Sequence, residues 1–193
     1  MSGRVHVFAA ISLDGYLAGE DHDLSWLPGA DPNAQAEAKP ADDGGYAALL
    51  AEVGALLMGR QTYDVLCGFA IPWPYGDLPV LVATHRPLSA AAPTVRAAAG
   101  SVHQLVAAAQ QAAQGRDVYI DGGQLIRQAM DAGLVDTWTL AVVPTLLTRG
   151  QPLWAGLKTP QTLVLRGQRQ MANGLLQLRL ATDAHTPAPA WWQ

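Results

Sequence analysis

Asp121-Gly122-Gly123-Gln124 is the stretch whose residue types and order most invite chemistry. It follows the apolar run Val118-Tyr119-Ile120 and precedes Leu125, Ile126, Ala129 and Met130, which share one helical stripe closed by Gly133. A strand therefore feeds a helix through two residues without side chains. Bare amides at the positive end of a helix dipole attract anions, although a tight turn alone would also use two glycines. The pattern recurs at Met58-Gly59-Arg60-Gln61-Thr62-Tyr63. There Arg60 offers a phosphate a bidentate guanidinium, and Thr62 offers its hydroxyl and its amide. A merely solvated Arg60 would set its charge against the helix dipole. Thr84-His85-Arg86, after the apolar run at 79–83, either adds charge opposite the same phosphate or supplies ordinary loop charges.

Proton transfer needs an acid near these sites, and Asp14, Asp43, Tyr46 and Asp121 are the candidates. Asp14 and Asp121 end different strands and would meet across a shared site, where desolvation raises a carboxyl pKa toward general-acid use. The competing structural roles are plain. Asp14 would cap a turn before Gly15, Asp43 would cap the next helix, and Tyr46 would begin that helix's packing stripe.

Strands and helices must alternate to place these residues. The patterns predict strands at 5–13, 55–58, 79–84, 94–98, 118–120 and 137–143, with helices at 44–53, 61–67, 102–113 and after Gly123. Gly54 reads as a helix stop, and 16–43 and 150–156 read as loops. Two antiparallel strands, 161–169 and 175–182, close the chain. In the last, Leu176, Leu178 and Leu180 alternate with Gln177 and Arg179, which predicts a leucine face toward the core. The order implies an α/β fold, a three-layer αβα sandwich whose mostly parallel central sheet ends in antiparallel C-terminal strands. One domain, 1–183, is expected, followed by a Pro/Trp-containing tail, 184–193, that folds back or meets another subunit. Open sheets of this kind bind ligands at the carboxyl ends of their strands, where all the glycine-marked sites fall.

Composition narrows the function. Of 193 residues, 50% are hydrophobic and 15% charged, so a packed core is expected, and the net charge of −4 without basic clusters argues against nucleic acid as a partner. The five histidines lack ligand spacing, so no metal is expected. A single cysteine, Cys67, forms no disulfide framework and reads as a small buried or half-buried residue. No signal segment is evident, and no run nears the roughly 20 apolar residues of a membrane span, so a cytoplasmic protein with no membrane partner is expected. Rossmann, P-loop and serine-elbow glycine motifs are absent from the sequence.

Phe8-Ala9-Ala10-Ile11-Ser12-Leu13-Asp14-Gly15, Leu57-Met58-Gly59-Arg60-Gln61-Thr62-Tyr63, Asp121-Gly122-Gly123 and Gly133-Leu134-Val135-Asp136 together resemble the dihydrofolate reductase-like superfamily. Within it, the chain is most similar to the group related to the reductase domain of the bifunctional riboflavin-biosynthesis deaminase-reductase. The resemblance covers about residues 4–182 and implies an NADPH-dependent reductase. Its substrate would be a small heterocycle, either 5-amino-6-ribosylaminouracil-phosphate-like or pterin-like. On that likeness Ala10 lines the nicotinamide pocket, while Gly59, Arg60 and Thr62 hold adenosine-side phosphates. Thr84, His85 and Arg86 lie near the 2′-phosphate, and Gly122, Gly123, Gln124 and Leu125 approach the pyrophosphate. The segment 19–28 would be a lid that excludes water during hydride transfer. Trp26, in that lid, stands beside the substrate on the likeness, with loop anchoring as its other role; Asp43 and Tyr46 complete the substrate side. Asp14 and Asp121 are the catalytic candidates, and Asp121 matches an acidic residue that faces substrate in the riboflavin-pathway group. Gly29-Ala30 and a displaced Asp31 stand where folate reducers carry an acid. A homodimer is expected. The alternative is a non-catalytic nucleotide- or flavin-binding module on the same fold.

Overall fold

A computed structural model describes residues 3–28, 42–69 and 71–192. Strands β1 (Val5–Ser12), β3 (Val53–Gly59), β4 (Val80–Ala83), β5 (Val95–Ala98), β6 (Asp117–Asp121), β7 (Thr137–Val143), β9 (Val164–Gln170) and β10 (Leu176–Ala181) form one eight-stranded sheet. Its order is β5-β4-β3-β6-β1-β7-β10-β9, parallel from β5 to β7 and antiparallel at β10 and β9. The expected α/β architecture is the one observed. Helices α3 (Val102–Ala112) and α4 (Gly123–Asp131) cover one face above Leu57, Val118 and Ile120. Helices α1 (Tyr46–Glu52) and α2 (Arg60–Gly68) cover the other above Leu56, Met58 and Tyr119. Covered on both sides, β3 has six of its seven residues buried, which is why it reads as a continuous apolar run.

Several expectations are corrected. β2 (Tyr16–Ala18) and β8 (Gln151–Pro152) form a small antiparallel ribbon within segments that read as loops; strands this short carry no period. Gly54 is not a helix stop but the second residue of β3, and a Cβ there would collide with the Ala113 carbonyl. Cys67 is exposed, because Tyr63 and Leu66 take the inner side of α2. The faces of β10 are not split as the leucine alternation predicts. Leu176 is 42% exposed, whereas Gln177 is fully buried and donates to the Gly44 carbonyl at 2.7 Å.

The tail also covers part of the sheet. Trp191 and Trp192 fold back and are buried on the α1 side of the sheet, where Trp191 lies 6.0 Å from the Phe8 ring. Arginines satisfy the tail's carbonyls: Arg4 bonds Pro187 at 2.8 Å, Arg166 bonds Thr186 at 2.8 Å, and Arg179 bonds Trp192. At the amino ends of the strands, buried His6 bonds Thr137 and, at 2.9 Å, Asp117. Arg4 pairs with the same carboxylate at 2.8 Å. Burial pushes the Asp117 carboxyl up, but these donors outweigh it and hold its pKa well below the usual range.

Candidate active site

β3 and β6 are parallel neighbours, yet the helices that follow them lie on opposite faces of the sheet. The chain parts at their carboxyl ends and leaves a crevice, the usual ligand position in open α/β sheets. Gly122 has φ +102°, and a Cβ there would lie 2.8 Å from Thr62 Oγ1 and 3.2 Å from the Gly59 nitrogen. The two glycine-marked strand ends therefore touch. Neither α2 nor α4 receives a side-chain cap at its N-terminus, so side chains leave their first amides unpaired.

A groove of about 820 Å³ runs across this junction, within the size range of small-molecule sites. Ala10, Gly59, Arg60, Thr62, Thr84, His85, Arg86, Asp121, Gly122, Gly123, Gln124 and Leu125 all line it. Its cationic end joins α2 to the β4 exit. Arg60 bonds Asp64 at 2.7 Å and the Pro87 carbonyl at 2.9 Å, while Arg86 approaches the same carboxylate at 3.4 Å. Two guanidiniums share one carboxylate, which leaves a net positive charge there. Pairing with Asp64 one turn on also resolves the misfit of Arg60 with its helix dipole.

The opposite end is aromatic. Tyr119 and Asp121 alternate onto the α1 face of β6, as residues two apart in a strand must. Tyr46 stands edge-on to Tyr119 with ring centroids 6.2 Å apart and lies 5.2 Å from Phe8. Tyr75 completes this end from the loop after α2, braced edge-on by Trp73 at 5.3 Å. Burial raises the Asp121 carboxyl pKa, opposed by the Gly122 amide at 2.7 Å and by Tyr119 beside it. The Tyr119 hydroxyl donates to the Phe8 carbonyl at 3.0 Å. Burial likewise raises the Tyr46 and Tyr75 phenols, with the Asp121 charge adding to both shifts.

Other predicted site residues stand apart. Asp14 does not meet Asp121 across the groove. It accepts from Ser12 at 2.6 Å and from the Leu147 and Thr148 amides at 3.1 and 2.7 Å, contacts that lower its pKa, the Ser12 bond most. It is a loop clamp, because the chain turns away at Gly15. Asp43 caps the start of α1, accepting from the Gly45 and Ala47 amides at 2.8 Å each. Trp26 packs with Leu27, Ala10 and Met171 rather than lining the groove, and Leu27 lines it in its place. Tyr46 lies behind Phe8 and Tyr119. Asp31 falls outside the described residues.

Phe8, Tyr75 and Arg127 are groove residues that the sequence reading passed over. Phe8 looked like one more residue of a buried strand, and Tyr75 sits in a loop without a period. Arg127 looked like the solvent face of a helix, although its position four residues after Gly123 brings it back over the helix start.

A candidate riboflavin biosynthesis protein from Shewanella sp. PV-4 superposes on this chain with a TM-score of 0.78 at 28% identity, covering 94% of this chain and 98% of that one. The fold is that of the riboflavin-pathway reductase-like proteins. That agrees with the dihydrofolate reductase-like resemblance. The Thermotoga maritima diaminohydroxyphosphoribosylaminopyrimidine deaminase/5-amino-6-(5-phosphoribosylamino)uracil reductase has the same fold at 12% identity and a TM-score of 0.63, over 93% of this chain and 56% of that one. In sequence, the uncharacterised Bacillus subtilis protein YwjB is 27% identical over 176 residues, 91% of this chain and 96% of its own length. No family model matches the chain. Among the described residues, no helix is long and apolar enough to cross a membrane.

Proposed function

We propose that this protein is an NADPH-dependent reductase that delivers hydride to a small planar heterocycle of the pyrimidine or pterin kind. One observation carries the reading: the contacting glycine exits of β3 and β6 open into a single groove that is cationic at one end and aromatic, with a carboxyl group, at the other. The residues present fit the cofactor. Gly59 leaves room for backbone to approach a pyrophosphate, Gly122 lets the two strand ends close on each other, and the uncapped starts of α2 and α4 would face the ligand. Arg60, Arg86, His85 and Thr84, which line the groove together, would receive a 2′-phosphate.

The bound dinucleotide supplies the hydride. Phe8, Tyr75 and Tyr119 hold a flat ring by stacking and edge contacts. Asp121 keeps its proton to higher pH than an ordinary carboxyl and gives it to the nitrogen or oxygen next to the reduced carbon. The segment 19–28 reaches across the groove, with His22 and Leu24 on its lining and His22 hydrogen-bonded to Gln61 of α2, and so shields the reaction from water.

Equilibrium titration with NADPH and NADH tests the reading. NADPH should bind in the micromolar range and NADH at least tenfold more weakly, since a 2′-phosphate on a guanidinium is worth on the order of 1.5–3 kcal/mol. Failure to bind either at millimolar concentration refutes it. A cytoplasmic homodimer belongs to the same proposal. Its contact would use the exposed edge at β9, where Leu165 is 54% exposed, since Trp191 and Trp192 are spent on the chain's own core.

A further inference from the structure

The charges along the groove are not equally engaged. Arg60 and Arg86 share Asp64, whereas Arg127 has no carboxylate partner among the described residues. Its guanidinium is half-buried and reaches over the start of α4 to the Pro152 carbonyl of β8. A Cβ on Gly123 would lie 2.8 Å from Leu17 Cδ1, 3.2 Å from Arg127 Nη1 and 3.6 Å from the Pro152 oxygen. Arg127, the β2–β8 ribbon and the first residue of α4 therefore converge on one point of the groove wall. A cation held half out of water by a single neutral carbonyl retains most of its capacity for charge-assisted bonds. It is carried by α4, which packs on the opposite face of the sheet from α2, the helix that carries Arg60 and Asp64.

We propose that Arg127 is the groove's pyrophosphate-binding residue, a second anion site separate from the Arg60–Arg86 pair. This rests on the dinucleotide reading above and deepens it: the groove takes a ligand with two anionic groups, one at each cation cluster. Arg127 also joins that ligand to the ribbon whose first strand, β2, leads directly into the segment at 19–28. Engagement of the pyrophosphate and placement of the lid are then linked through one side chain.

Titration calorimetry of the full chain with NADP⁺, 2′-AMP and inorganic pyrophosphate separates the two clusters. Arg127→Met should raise the Kd for NADP⁺ and for pyrophosphate about tenfold or more and leave 2′-AMP within about twofold, with Arg127→Lys recovering part of the loss. Arg60→Met should weaken NADP⁺ and 2′-AMP and spare pyrophosphate. An unchanged NADP⁺ affinity in Arg127→Met overturns the proposal. So does an equal loss for all three ligands, which would mark Arg127 as a support for the ribbon alone. If the wild type binds pyrophosphate through Arg127 but shows no preference for NADPH over ADP, the reductase reading fails and this assignment stands. If NADPH binds and Arg127→Met is neutral, the reverse holds.

Discussion

Two glycines in the same groove should respond in opposite ways to the same methyl group. At Gly122, φ is +102° and ψ 119°, a conformation that costs an L-residue on the order of 1–3 kcal/mol. The added Cβ would also press on Thr62 Oγ1 at 2.8 Å and on the Gly59 backbone at 3.2 Å, and backbone does not yield as a side-chain tip does. Gly122→Ala should therefore cost about 2–4 kcal/mol of stability and push the β3 and β6 exits apart. Gly59 has φ −69° and ψ 151°, open to any residue, and nothing lies within 4 Å of its virtual Cβ. Gly59→Ala should leave stability within about 0.5 kcal/mol. Yet its methyl group enters the space assigned to the cofactor, so NADPH affinity should fall about tenfold or more. Urea unfolding gives the stabilities, and fluorescence titration at a temperature where both variants are folded gives the affinities. A Gly122→Ala protein of wild-type stability would refute the close approach of the two strand ends. A Gly59→Ala protein with wild-type affinity would refute the placement of the dinucleotide.

Three further substitutions probe other parts of the chain. Asp121→Asn removes the proposed acid. The wild-type rate should be highest at low pH and fall as pH rises through the raised pKa, and the variant should lose that limb with about 100-fold or more of kcat, read from a pH–rate profile. The same sign applies to stability, because a buried carboxyl that resists ionisation opposes folding as pH rises; the asparagine variant should equal or exceed wild type in alkaline urea melts. Asp117→Asn breaks the Arg4 and His6 contacts and should cost about 2–4 kcal/mol near neutral pH. Since the folded pKa of Asp117 lies below its ordinary value, that difference should shrink as pH drops below the ordinary carboxylate range, where thermal melts would show the two proteins converging. Trp191→Ala should cost about 3–5 kcal/mol, and a loss under about 1 kcal/mol in urea would show that the tail is not part of the core.

What the sequence disclosed about the fold and the groove follows from the range of the interactions involved. The stretch Val118 to Gly133 was legible because each of its signals acts within a few residues: an apolar run, a pair of glycines, a stripe at helical spacing and a stop. The same holds for Gly59 and α2. The eight-stranded sheet followed from the alternation of such local units. Contacts made by distant residues were not legible. The partner of β2 lies more than 130 residues away in β8, and neither strand is long enough to show a period. Gln177 could enter the interior only because Gly44 and Arg169 meet its amide at 2.7 and 2.9 Å, and no property of residues 175–182 announces either partner. The amide donors to Asp14 lie out of reach for the same reason, since they come from Leu147 and Thr148.

The groove combines two kinds of segment. Its floor, the glycine ends of β3 and β6, belongs to locally encoded strand–turn–helix units and sits on two neighbouring strands whose middles are buried. Its walls come from segments joined to the rest by contacts between distant residues, among them Arg127 with Pro152 of β8 and Gln61 with His22 of the lid, and from the loop that sets Trp73 edge-on to Tyr75. Wall contacts of this kind cost less to break than the packed strands beneath them, so on the proposed reading the walls would open and close over a fixed base. On that reading ligand specificity would lie with the wall residues, where two proteins of this fold can differ most while keeping the same floor.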